Sequence, residues 1–145
     1  MKLVLIILIV CSSIVGCQSS KTTTPPQDER LANVKDSDTV TIANDELEYQ
    51  IIIIEPGFNF WLASRARPEG FYSQNYLENR NLIYVIEWNN RVNQPFRYNP
   101  DLYEMQIDYQ QGIDYGYEVN YKLYNYFIYF QLTYKQRLGP FVPRI

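Results

Sequence analysis

The last third of the chain is unusually rich in tyrosine, and the spacing of these residues constrains the fold more than any other feature. All 14 tyrosines lie at or after Tyr49, and ten of them lie between Tyr98 and Tyr134. From Asp114 to about Leu138, apolar residues recur at helical spacing and occupy most of the circumference. They are Tyr117, Tyr121, Tyr124, Ile128 and Tyr134, with Leu123, Phe127 and Phe130 between them. The pattern predicts a helix buried on more than one side, with tyrosines that serve mainly as packing.

Two β-prone segments precede this run. Thr39–Ala43 alternates β-branched with other residues, and the turn pair Asn44-Asp45 follows it. Glu46–Ile54 then ends in four consecutive isoleucines, which favours a strand buried on both faces. These segments can pair as a hairpin around the turn, and the proline and glycine after Glu55 would end the second strand.

Two helical patterns follow the isoleucine run. Phe58–Arg65 is predicted to form a short helix. Ser73 can cap a longer helix that ends before Pro95, with its apolar residues on one stripe. The segment Leu82–Trp88 is also β-prone, so a strand competes with the helix there, but length and capping favour the helix.

A third helix start is predicted at Asn99–Asp101. The segment offers a capping asparagine, a proline at the first helical position and an acid in the first turn. Leu102, Met105 and Tyr109 would then share one face of a helix that stops near Gly112.

These patterns together predict an α+β fold. We expect a mostly helical small domain in which a short isoleucine-rich β hairpin or sheet is packed by aromatic-rich helices. The sequence shows no internal repeat at a fixed period.

The N-terminus has the layout of a secretory signal. Lys2 supplies a positive charge and Leu3–Val10 is an uninterrupted apolar stretch. The 14 residues between Lys2 and Cys17 would span only about 21 Å as a helix, against a hydrocarbon core of about 30 Å, so a permanent transmembrane anchor fits poorly. Ile14–Cys17 resembles the lipobox of bacterial lipoproteins, which predicts cleavage before Cys17 and lipid attachment to its sulfur. The alternative is an ordinary secreted protein with a chance cysteine.

The chain therefore divides into three parts. We predict a lipoprotein signal peptide over residues 1–16, a lipidated flexible tether over 17–37 and a single globular domain over 38–145. The tether is rich in serine, threonine, proline and charge, with little to bury. The length of the last part suits one domain.

The residues around the anchor suggest a location. Gln18 follows the cysteine, where an aspartate is associated with retention in the inner membrane. We therefore predict a lipid-anchored protein of the cell envelope, held at the outer membrane and facing the periplasm.

Composition excludes several kinds of chemistry. Histidine is absent, which rules out serine–histidine and cysteine–histidine catalysis and histidine-ligated zinc. Cys11 lies in the segment to be removed, so Cys17 would be the only thiol of the mature chain. Of 13 basic side chains only Lys2 precedes the cleavage site, which leaves 12 against 16 acidic ones and a net charge of −4. We therefore predict no nucleic-acid partner, no metal and no cofactor.

The tryptophans carry the strongest candidate binding residues. Each tryptophan has arginines nearby, an arrangement that suits sugar stacking or recognition of an anionic group, and equally suits a helix-packing seam. The candidate residues are Trp61, Arg65, Arg67, Glu87, Trp88 and Arg91. No catalytic residue is assigned.

A spaced series of acidic residues is a weaker candidate. On the predicted third helix, Asp101, Glu104 and Asp108 would share one face, as a carboxylate site for a metal or a general acid requires. A solvated helix face is the simpler interpretation, and no calcium-binding loop motif is present.

The stretch from Ile42 to Leu138 resembles a family of small lipoproteins of unknown function from Bacteroidota-type bacteria, flavobacteria especially. The most specific motifs are Pro56-Gly57-Phe58, Trp61-Leu62, Ala66-Arg67-Pro68, Glu87-Trp88-Asn89-Asn90-Arg91 and Asn99-Pro100. The resemblance implies a host with a two-membrane envelope and supports lipid anchoring. It assigns no activity and no site residue.

Three functions are compatible with the sequence. The first is a structural or protein-interaction module of the envelope, with the membrane and an envelope protein as partners. The second is a lipoprotein that binds a glycan or another small polar ligand. The third is a carboxylate-dependent hydrolase, which depends only on Glu87 and the acidic series. The absence of the usual catalytic residue types favours a protein that is not an enzyme.

Overall fold

The computed structural model describes residues 39–145, and the predictions for the signal peptide, the tether and Cys17 lie outside this range. The described chain forms a two-stranded antiparallel sheet followed by three helices, so the predicted α+β fold is confirmed. The elements are β1 (Thr39–Asn44), β2 (Tyr49–Ile54), α1 (Phe58–Ser64), α2 (Gln74–Val92) and α3 (Tyr117–Thr133). Within these residues, no helix combines the length and the apolarity that crossing a membrane requires.

The hairpin forms around the predicted turn. In its register, Thr39 lies opposite Ile54 and Asn44 lies opposite Tyr49. The Asn44 side-chain oxygen accepts hydrogen bonds from two backbone N–H groups of a short 3₁₀ turn over Asp45–Leu47. This turn uses the start of the predicted second strand, so β2 begins at Tyr49 rather than at Glu46.

One face of the isoleucine run is exposed to solvent. Ile51 is half-buried, whereas Ile52 is 55% exposed and Ile54 is 73% exposed. The prediction of burial on both faces was wrong. The two-stranded sheet packs one face onto the helices through Ile42, which is fully buried, and no described residue covers the other face as a second layer would.

The helix α3 lies at the centre of the domain. Every residue from Val119 to Gln131 is buried except Lys122, and β1, α1 and α2 all pack against this helix. The prediction of burial on more than one side is confirmed, although the helix is shorter than the aromatic run. It begins after Gly116, whose φ of +80° suits glycine, and it ends before Lys135, which has a φ of +54°.

The helix α2 is continuous through the segment for which a strand competed. Ser73 caps it, because its hydroxyl accepts a hydrogen bond from the Tyr76 N–H at 3.3 Å. Leu77, Tyr84 and Val85 lie on its buried face. The helical prediction for Leu82–Trp88 is therefore confirmed.

The predicted helix after Asn99 does not form. Asn99 does cap a single turn, since its side-chain oxygen accepts from the Asp101 N–H at 3.0 Å, but the chain then runs without regular structure to Gly116. Side chains of α2 form hydrogen bonds with backbone N–H and carbonyl groups of this segment, which a helix would have used internally. The Trp88 indole donates to the Met105 carbonyl at 2.8 Å, and the Asn89 side chain bonds both the N–H and the carbonyl of Ile107.

Candidate functional site

A cleft of about 510 Å³ lies between β2 and the segment 101–108, and we call it the β2 cleft. Trp88, Tyr126 and Phe130 line its floor. Its rim is apolar in part, because Ile52, Ile54 and the 72% exposed Met105 all border it. The side chains of Ile52, Ile54 and Met105 therefore form an exposed apolar surface beside the hairpin.

The cleft is bordered by the free edge of β2. Side chains of consecutive strand residues point to opposite faces of a sheet, yet Tyr49, Gln50, Ile51 and Ile52 all line this one cleft. The strand therefore turns its edge toward the cleft. In the described part of the chain, β1 is the only strand beside β2. The edge is thus open to a further strand.

The cleft is strongly acidic. Five carboxylates line it and no lysine or arginine does; the five are Glu48, Glu55, Asp101, Glu104 and Asp108. The ion pairs of residues 39–145 are Glu87–Arg91 and Glu118–Lys122, neither of which involves one of the five. The carboxylates therefore give the rim a negative charge, and none of the five forms an ion pair with a described lysine or arginine.

The carboxylate of Glu55 is hydrogen-bonded to a tyrosine that also lines the cleft. Burial raises the pKa of Glu55, and the hydrogen bond that its Oε1 accepts from the Tyr134 hydroxyl at 2.8 Å partly opposes this rise. The same hydrogen bond, with burial and the nearby carboxylate charge, raises the pKa of Tyr134 to about 12. Burial also raises the pKa of Tyr49 and of Tyr126. The tyrosines of the cleft are therefore neutral hydroxyls at physiological pH.

The acidic series does not form a metal site. Asp101, Glu104 and Asp108 do not share a helical face, because no helix forms there, so that prediction was wrong. Among residues 39–145, no group of three or more histidine, cysteine or carboxylate side chains is close enough to hold a metal ion. The three carboxylates instead lie along one wall of the β2 cleft.

Trp88, one of the residues singled out from the sequence, is a core residue. It is 5% exposed, and its ring packs against Tyr103 at 5.0 Å and Phe130 at 4.9 Å between ring centroids. Its indole N–H is occupied by the Met105 carbonyl. Trp88 nevertheless lines the floor of the β2 cleft.

Glu87 and Arg91 form a salt bridge that ties α2 to the rest of the core. The Arg91 guanidinium lies 2.8 Å from Glu87, donates to the Tyr103 hydroxyl at 2.7 Å and also bonds the carbonyl of Arg137. Its exposed fraction is 9%. The pair thus joins α2 to the segments on either side of α3.

Trp61 and its arginines lie apart from this pair. Trp61 is half-buried and meets the Tyr129 ring edge-on at 5.5 Å, while Phe58 lies between Trp61 and the aromatic floor of the cleft. Arg65 and Arg67 are exposed, and the Arg67 guanidinium lies 5.0 Å from the ring of Phe71. Of the six candidates, only Trp88 lines the β2 cleft. A binding role for the six stays a prediction.

The cleft was not predicted from the sequence, because the residues of its two walls were expected in a buried strand and in a helix. Ile52 and Ile54 were expected to be buried, and Met105 was placed on the apolar face of a helix. A signal was present: a hairpin of two strands has two free edges, and its two faces cannot both be covered in so small a domain without a second layer.

The comparisons with known proteins give a family and no activity. Residues 3–142 match DUF6146, a family of unknown function. The chain belongs to the DUF6146 family. No match is found among curated proteins or among solved structures. In this member of DUF6146, the β2 cleft is the described feature that bears on function.

Proposed function

We propose that the chain is a lipid-anchored protein of the cell envelope that acts as a protein-interaction module through the β2 cleft. The observation that carries this proposal is the cleft itself, which combines an open strand edge, exposed isoleucines and a one-sided charge. An open strand edge can pair with another chain, and a contiguous exposed apolar surface often marks an interaction site.

The support for anchoring comes from the N-terminal sequence. Lys2 and the apolar Leu3–Val10 have the layout of a secretory signal, and Ile14–Cys17 has that of a lipobox. In the proposed arrangement, residues 1–16 are removed, Cys17 carries the lipid and residues 17–37 tether the domain over 38–145. Firm attachment needs several acyl chains, as lipoprotein maturation would provide. We propose that the domain faces the periplasm from the outer membrane.

Replacing the two cysteines separately tests the anchor. Cys17→Ser should block processing or release the chain from the membrane fraction, because it removes the sulfur that is proposed to carry the lipid. Cys11→Ser is the matched control, since it lies in the segment to be removed and should change neither property. Fractionation with mass spectrometry of the N-terminus measures both. Normal processing and membrane association of Cys17→Ser would refute the anchoring proposal.

Substitutions in the cleft test the interaction. We expect crosslinking and affinity capture from membranes to recover a protein partner with the native chain and to lose it with Ile54→Glu or Met105→Glu. Both side chains are more than two-thirds exposed, so the fold should tolerate the change. Phe60→Glu is the control, because Phe60 is a 60% exposed apolar residue of α1 that does not line the cleft. Equal capture by all variants, or no reproducible partner, would contradict the proposal.

A glycan or another small polar ligand is the second candidate. Its support is that Trp88 and Tyr126 line the cleft together with carboxylates that can accept hydrogen bonds from sugar hydroxyls. Trp61, Arg65 and Arg67 do not line the cleft, so a ligand bound there would not contact these three candidate residues. Cell-wall fragments and sugars should then change tryptophan fluorescence and raise the melting temperature. Unchanged values across the series would exclude this candidate.

A further inference from the structure

We infer that the β2 cleft binds an extended segment of a partner protein, rich in lysine or arginine and alternating with apolar residues, as a third strand beside β2. This inference rests on the proposed interaction function and names the chemistry of the partner. Three features of the cleft carry it: the backbone of β2, the charge of the rim and the spacing of the exposed isoleucines.

The backbone of β2 has an unused side. The strand pairs with β1 along its whole length, from Tyr49 to Ile54. Outside the pairing with β1, no backbone–backbone hydrogen bond of residues 39–145 involves residues 49–54. Such a row of N–H and carbonyl groups is the template on which an extended peptide adds a strand. The cleft provides the room beside it.

The charge of the rim selects a cationic segment. Five carboxylates and no basic side chain line the cleft, and Asp101, Glu104 and Asp108 follow one another along the wall that faces β2. A strand lying between β2 and this wall would have its side chains next to those carboxylates. Complementary charge favours lysine or arginine there and opposes an acidic segment or an anionic membrane surface.

The exposed isoleucines set the alternation. Ile52 and Ile54 are two residues apart, so they point to the same face of the sheet. A strand added beside β2 would place every second side chain next to them, and cross-strand neighbours on one face stabilise a sheet when both are apolar. Apolar residues at alternate positions therefore match the isoleucines, and basic residues between them can reach the acidic wall.

The chain itself is a poor source of this segment. Residues 18–37 carry three basic side chains, Lys21, Arg30 and Lys35, against three acidic ones, so they have no excess of positive charge. A second copy of the mature chain has a net charge of −4 and presents the same acidic cleft. Charge complementarity therefore points to a different protein.

Short synthetic peptides test the inference on the full chain in neutral detergent. The probe is an eight-residue peptide of alternating lysine and valine with blocked ends. The charge control replaces each lysine by glutamate. The backbone control keeps the lysines and carries a methyl group on every peptide nitrogen, which removes the N–H donors from both edges of the strand and keeps the charge. Calorimetry gives the affinities, and hydrogen exchange reports on residues 49–54.

We expect the lysine peptide to bind at least about tenfold more tightly than the glutamate peptide, with affinity that falls as salt is raised. N-methylation should lower the affinity about tenfold or more, because each lost hydrogen bond contributes a factor of roughly two to ten. Exchange of the β2 amides should slow on binding. The double variant Glu104→Gln with Asp108→Asn should bind more weakly, whereas the exposed Glu69→Gln, which does not line the cleft, should bind as the native chain does.

Specific results would overturn the inference. Undiminished binding of the N-methylated peptide would do so, because it would mean attraction by charge alone. Equal binding of the lysine and glutamate peptides would also do so, as would unchanged hydrogen exchange of the β2 amides. If the peptides fail while Ile54→Glu still abolishes capture of a cellular partner, strand addition is wrong and the interaction function stands. If the peptide binds as expected while that capture does not depend on the cleft, the interaction function fails instead.

Discussion

A single side chain, Asn89, determines how the chain continues after α2. Its amide N–H donates to the Ile107 carbonyl at 2.9 Å, and its carbonyl oxygen accepts from the Ile107 N–H at 2.8 Å. This two-point bond imitates the pairing of a neighbouring strand and holds the wall of the β2 cleft against α2. Because the two residues are 18 positions apart, no local pattern in the sequence announces the contact.

Removal of the Asn89 amide should therefore loosen the cleft wall. We expect Asn89→Ala to lower the free energy of unfolding by about 2 kcal/mol, since two hydrogen bonds are lost and Ile107 is left with unpaired backbone groups. Denaturation in urea measures the change. Asn90→Ala is the matched control, because Asn90 is exposed and its side chain makes no hydrogen bond among the described residues, so it should stay within about 0.5 kcal/mol of the native value. Equal effects of the two variants would contradict this role for Asn89.

At the scale of elements, the sequence predicted what depends on local periodicity and missed what depends on distant partners. The helix α3 was foreseen because apolar residues cover most of its circumference, and α2 because Ser73 caps a long apolar stripe. The helix predicted after Asn99 failed because Trp88 and Asn89 bind the backbone that it needed. The exposure of Ile52 depends on the number of layers in the domain, which the isoleucine run alone does not reveal.

The buried helix α3 also carries polar side chains that join it to its neighbours. The Asn120 side chain is fully buried, its oxygen accepts from the Tyr109 hydroxyl at 2.7 Å, and the Asn81 amide donates to the same oxygen at 3.1 Å. Hydrogen bonds inside a core are stronger than those in water, and a buried donor that loses its acceptor there is costly. Asn120 therefore connects α3 with α2 and with the irregular segment.

Replacement of Asn120 should cost more than its size suggests. We expect Asn120→Leu to lower the free energy of unfolding by about 2–4 kcal/mol, because the Tyr109 hydroxyl loses its acceptor inside the core and the Asn81 amide keeps only the Asn120 backbone carbonyl. Lys122→Leu, on the same helix, is the control; it removes a surface ion pair with Glu118 and should change stability by about 1 kcal/mol or less. Thermal unfolding followed by circular dichroism compares the two. A milder effect at Asn120 than at Lys122 would rule out this role.

At the scale of the whole molecule, buried tyrosine makes the domain sensitive to alkali. Burial raises the pKa of six buried tyrosines, which are Tyr84, Tyr103, Tyr109, Tyr124, Tyr126 and Tyr129. In the unfolded chain these phenols lose their protons near pH 10, while the folded chain keeps them. The unfolded state then binds fewer protons, so stability falls as pH rises above about 10.

We expect a cooperative alkaline transition in place of a gradual titration. Each of these tyrosines adds a slope of up to about 1.4 kcal/mol per pH unit once the unfolded phenols ionise. Absorbance of tyrosinate near 295 nm should therefore rise in the same step as the loss of helical circular dichroism. Histidine and cysteine are absent from residues 18–145, so stability should stay nearly level between about pH 7 and 9. Ionisation of most tyrosines well before any loss of structure would contradict the expectation.

The central position of α3 has a consequence for the order of events during synthesis. The surfaces of β1, α1 and α2 that pack in the core all face a helix that follows them in the chain. Until residues 117–133 have been made, these earlier elements have little to pack against, and a lone hairpin or a short helix is barely stable in water. The growing chain should therefore stay open and gain its structure in one late step. Under the export proposed above, the secretion machinery would meet the chain before its core had packed.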